Sequence, residues 1–119
     1  MSPDRVYADY LRDIVDAADK AGEFVQGMDF EAFRADPKTV FAVIRALEVV
    51  GEATKNVPDV VRASYPQIPW RKMAGMRDKL AHDYFGVDLE VVWKTVTQVL
   101  GALREAVAAV LSEMEKERE

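Results

Sequence analysis

The sequence predicts an all-α protein: an antiparallel, up-and-down bundle of four long helices with one or two short ones. Three observations carry this expectation. Apolar residues recur at three- and four-residue steps along most of the 119 positions. Pro, Gly and capping acids punctuate that pattern into segments of helical length. The connections are short, which favours antiparallel neighbours. Val49, Val50, Val57, Val60 and Val61 are β-formers locally, but burial of a helical face outweighs weak propensity. The length is that of one domain, spanning 1–119, and it suffices for a core without disulfides or metal.

The first helix is expected over about 3–26. Ser2 accepts from an orphan N–H, Pro3 suits the first helical position, and Asp4 favours the positive end of the dipole. Tyr7, Leu11, Ile14, Ala18 and Ala21 form its stripe, widened by Tyr10, Val15 and Val25, and Gly27 stops it. Residues 29–35 read as a short helical turn whose Phe30 and Phe33 press on one neighbour. Asp36-Pro37 starts a helix over about 37–56, with a face of Val40, Phe41, Ile44, Leu47, Val50 and Thr54. Gly51 within it either admits close approach of another helix or is merely tolerated.

Pro58 ends that helix and opens a short one to about Ala63. Tyr65-Pro66-Gln67-Ile68-Pro69 is a loop, since two prolines three apart do not sit inside a helix. Pro69 opens the next helix, with Trp70, Met73, Met76 or Arg77, and Leu80 on one side, fading near 83–85 before Gly86. Asp88 caps the last helix. Its stripe is the longest in the chain: Leu89, Val92, Trp93, Val96, Leu100, Leu103, Val107, Val110, Leu111 and Met114.

Composition excludes several functions. No cysteine is present, so disulfides, thiolate catalysis and Cys-ligated zinc are out, which suits a reducing cytosol. No secretory signal is visible, and no window approaches the roughly 20 apolar residues of a membrane span. A cytoplasmic protein without a membrane segment is expected. The net charge of −5 argues against a broad nucleic-acid-coating surface. A local site remains open: Arg71, Lys72, Arg77 and Lys79 face only Asp78 and Asp83 between Trp70 and Gly86, an excess of two positive charges.

That stretch also holds the only histidine, His82, in the order Arg77-x4-His82-x-Tyr84. An imidazole both gives and takes protons near neutrality, and a guanidinium fork fits a phosphate. Together they can cleave a phosphodiester without metal, and RNA suits because it brings its own 2′-hydroxyl nucleophile. On a regular helix, positions 77 and 82 differ by about 140°. Either the helix unwinds and lets His82 swing round, or the site combines two subunits. The plainer reading makes His82 a cation at a helix C-terminus, Arg77 a solvated or ion-paired residue, and Tyr84 a half-buried aromatic. Glu48 and Glu52 lie one turn apart and read as a solvated face, or, for Glu52, as a partner of Arg71 or Arg77. A lone histidine without an acidic cluster speaks against a metal site, and no cofactor is expected.

The stretch IPWRKMAGMRDKLAHDYFGVD, together with LEVVGEATKNVP at 47–58 and the Pro66…Pro69-Trp70 approach, closely resembles the HepT-like branch of the HEPN superfamily. The resemblance covers nearly the whole chain. It implies a metal-independent endoribonuclease, the toxin of a toxin–antitoxin pair, with Arg77 and His82 catalytic and Asp78 supporting them. Many members carry another polar residue where Asp78 stands. The local excess of positive charge makes Arg71, Lys72 and Lys79 candidates for holding RNA (tRNA or mRNA). The resemblance further implies AMP transfer to Tyr84 by an MNT-type nucleotidyltransferase antitoxin, and a homodimer whose two motifs face a shared cleft. The alternative is a non-catalytic helical dimerisation or interaction module that partners a nucleotidyltransferase or binds nucleotide.

Overall fold

The computed structural model describes the backbone of residues 3–82 and 88–117, and the side chains of residues 7–76 and 88–116. The described residues are helical, without strands: α1 (Pro3–Phe24), α2 (Phe30–Arg34), α3 (Pro37–Lys55), α4 (Asp59–Ser64), α5 (Trp70–His82), α6 (Leu89–Lys94) and α7 (Leu100–Glu117). A π-helical turn, Thr95–Val99, joins α6 to α7 with helical backbone at both junctions, so the three form one long helix. Four long helices and two short ones result, as the sequence predicts.

The helix starts follow local chemistry. Asp29, Asp36 and Asp88 each accept a backbone N–H from the first turn that follows, filling orphan donors. The first helix stops two residues earlier than its stripe suggests. Two tight turns, Gln26 N–H to Glu23 O and Met28 N–H to Val25 O, close the chain there, and Gly27 takes φ 79°, which glycine adopts without steric cost.

Helix α1 lies between α3 and α7, and α3 lies between α1 and α5. Both α1 neighbours run antiparallel to it. Arg12 pairs with Glu115 and Asp19 with Arg104, each at 2.9 Å, so positions rise along α1 as they fall along α7. On the α3 side, Tyr10 shares a groove with Asn56, while Phe24 shares one with Ala42. The core between these helices holds Leu11, Ile14, Val43, Val50, Met73 and Val107, with almost no exposed surface. Each such side chain contributes about 1.5–3 kcal/mol by leaving water.

One expectation needs correction, and one helix departs from regular geometry. Phe41 is not in the core but 58% exposed; Val43, Ala46 and Ala53 are buried in its place. The last helix is not uniformly α. Its core residues Val92, Val96 and Leu100 advance by four twice, whereas an α-helix turns in 3.6 residues. The wider i→i+5 turn at Thr95–Val99 keeps all three inward. The hydroxyls of Thr95 and Thr97 donate to the carbonyls of Val91 and Trp93 at 2.8 Å, competing with the α-helical ladder there.

Candidate nucleic-acid-cleaving site

Helix α5 carries the nominated residues other than Tyr84, and its first turn is firmly held. The loop before it folds through Ile68 N–H to Tyr65 O and Trp70 N–H to Ile68 O. The indole N–H of Trp70 donates to the carbonyl of Tyr65 at 3.0 Å. Ile68, Trp70 and Met73 are all buried, so α5 is fastened along the side that packs on α3. Beneath this junction Arg62 closes the end of α3: its guanidinium donates to the carbonyls of Val57 and Thr54 at 2.9 Å and of Lys55 at 3.3 Å. Helix carbonyls left unpaired at a C-terminus favour a cation of this kind.

Opposite the buried side, Arg71, Lys72 and Gly75 are exposed. Beyond Met76 the side chains of α5 lie outside the described residues, but the backbone stays helical to His82, so His82 does not swing round by unwinding of the helix before it. Position 77 therefore follows Trp70 and Met73 in register, and position 82 follows Arg71 and Gly75, about 140° away and roughly 7.5 Å along the axis. Within one chain the two do not share a face. Asp78 and Lys79 lie on this backbone with undescribed side chains, and Tyr84 lies outside the described residues.

Glu48 pairs with Arg45 at 3.4 Å, as a solvated face would. Glu52 is exposed beside Tyr10, Asp13 and Asn56. Arg71 makes no ion pair among the described residues, so Glu52 is not its partner; a pairing with Arg77 falls outside them. A groove of about 370 Å³ between α1 and α3, lined in part by Lys20, Phe24, Arg45 and Val49, contains none of the nominated residues. No helix among the described residues is long and apolar enough to cross a membrane. Sequence reasoning missed Arg62 and the Trp70–Tyr65 bond. A lone arginine carries no periodic signal, and an indole hydrogen bond depends on how a loop folds back.

The family described as ribonuclease HepT-like matches residues 14–110. A Thermococcus cleftensis protein named a probable ribonuclease HepT is 53% identical, over 84% of this chain and 91% of its own. A Methanocaldococcus jannaschii protein, named provisionally as an RNase, is 40% identical over 96% of this chain and 98% of its own. One from Caldanaerobacter subterraneus, named likewise, is 40% identical over 86% and 91%. No solved structure matches the chain. A helix that carries Arg77-x4-His82, set on a helical bundle and matched along most of its length, places this chain in the ribonuclease HepT-like family of the HEPN superfamily.

Proposed function

We propose that this protein is a metal-independent endoribonuclease, the toxin of a toxin–antitoxin pair, acting on tRNA or mRNA in the cytoplasm as one domain. The observation that carries the reading is the helix that holds Arg77 and His82 on a regular backbone, anchored by Trp70. Membership of the HepT-like family and relatives named as ribonucleases support it.

In this reading the imidazole of His82 takes the proton of a 2′-hydroxyl. The 2′-oxygen then attacks the adjacent phosphorus, and the bond from phosphorus to the 5′-oxygen breaks. The leaving oxygen takes a proton from imidazolium or water, so a 2′,3′-cyclic phosphate and a 5′-hydroxyl form. Arg77 stabilises the charge that builds on the phosphoryl oxygens, and Asp78 orients the pair. The roughly 140° between positions 77 and 82 favours a homodimer in which His82 of one copy works with Arg77 of the other across a cleft. Control would come from a nucleotidyltransferase partner. The Tyr84 phenol attacks the α-phosphorus of ATP and pyrophosphate leaves, which puts a bulky anion two residues from His82.

The test is RNA cleavage by purified protein in excess chelator, with His82→Ala and Arg77→Ala beside the wild type. Cleavage by the wild type alone, with helical content unchanged in all three, is the expected result. An inactive wild type of unmodified intact mass would overturn the nuclease reading and leave an interaction module. An inactive protein heavier by one adenylyl group is the expected product of the silenced state, and it should recover activity on removal of that group.

A further inference from the structure

Building on the nuclease reading, we propose that a single RNA strand lies lengthwise on the solvent face of α5, with a phosphate held by Arg71 and Lys72 about 15 Å from the bond cleaved at His82. Arg71 and Lys72 are exposed in the first turn of α5, where no acid accompanies them. Two cations at the positive end of a helix dipole are unfavourable to that helix. Neither has an ion-pair partner among the described residues, whereas Arg12, Lys20, Arg34, Lys94 and Arg104 all do. Lys38 and Lys116 also lack one among them, but Lys38 follows the capping Asp36 and Lys116 stands in the last turn of its helix, where a cation is favoured. Their placement is therefore not explained by stability, and an external anion accounts for it.

The helix between them and His82 suits a strand. Steps of three, four and three residues put positions 72, 75, 79 and 82 along one stripe, reading Lys, Gly, Lys, His. Asp78 falls beside the stripe on the Arg71 side, which directs a phosphate backbone toward the lysines. Gly75, midway, is exposed, and a Cβ there meets no atom within 4 Å. The face is open where a ribose-phosphate backbone would pass. Ten residues of helix rise about 15 Å, and a stacked strand rises about 3.4 Å per nucleotide, so the contact falls four or five nucleotides from the scissile phosphate.

The experiment is fluorescence anisotropy with fully 2′-O-methylated oligonucleotides, which lack the nucleophile and report binding without cleavage. Lengths run from shorter than this span of about 15 Å to well beyond it. Affinity should step upward once the strand reaches Arg71 and Lys72. The step should vanish in the Arg71→Gln, Lys72→Gln double variant. The slope of log K against log salt should fall there by about 0.7, because one phosphate is no longer neutralised. Gly75→Leu should also remove the step without changing charge, while Gly75→Ala should keep it. Affinity that grows smoothly with length in the wild type, or a step unchanged in the double variant, would overturn the proposal. A clear step in a protein of unmodified intact mass that leaves ordinary RNA intact supports this strand path and refutes the nuclease reading alone.

Discussion

The rings of Phe33 and Trp93 stand with centroids 5.3 Å apart and planes tilted by 37°. Phe30 approaches the same indole at 6.3 Å and 58°. The short helix α2 thus clamps the start of the last long helix, just after the segment that follows His82. Phe33 is fully buried. Phe33→Ala should therefore lower stability by roughly 3–5 kcal/mol, read as a shift in the urea midpoint at unchanged slope. A loss below about 1 kcal/mol would mean that α2 is not part of the cooperative core.

Among the described residues Arg62 serves carbonyls and not carboxylates. Arg62→Met keeps the apolar stem and removes the donors, so the end of α3 loses its cap. A cost of roughly 1.5–3 kcal/mol is expected. High salt screens surface ion pairs but should leave most of this difference in place, so unfolding at low and high salt distinguishes the two roles.

Gly101 sits in α7, and a Cβ there meets nothing within 4 Å. Gly101→Ala should stabilise the protein by about 1 kcal/mol, because alanine costs less backbone entropy in a helix and nothing resists the methyl group. Thermal unfolding reads this directly; a lower melting temperature would place another surface against that side of α7 in solution.

The carboxyl of Asp36 is held below its ordinary value, chiefly by the hydroxyl of Thr39, which donates to it at 2.7 Å, with backbone N–H groups of Thr39 and Lys38 adding to the effect. Burial opposes this shift. A carboxyl whose folded pKa lies below its unfolded one adds stability that is fully present above the unfolded value, about 3.9, and is lost as pH falls through the folded value. Thr39→Val should shrink the difference between stability at neutral pH and stability below pH of about 3. Equal acid sensitivity in both proteins would contradict this origin.

Much of the fold can be read from the chain alone because helix signals are local. Asp36-Pro37 and Asp88 start helices by side-chain geometry within one turn. Gly27 ends one by the backbone region it can enter, and the stripe from Leu11 to Ala21 records which side is buried. The spacing of Phe30 and Phe33 announced a shared neighbour, and the order Arg77-x4-His82-x-Tyr84, with Pro69-Trp70 before it and Gly51-Glu52-Ala53 upstream, announced the family. Tertiary structure alone decided that Trp93 is that neighbour, that α1 lies between α3 and α7, that Phe41 faces solvent, and that Arg62 closes α3. Such contacts join residues far apart in sequence or in irregular segments, where no period constrains them. Their free energy comes from desolvation and geometry that exist only once the helices have packed.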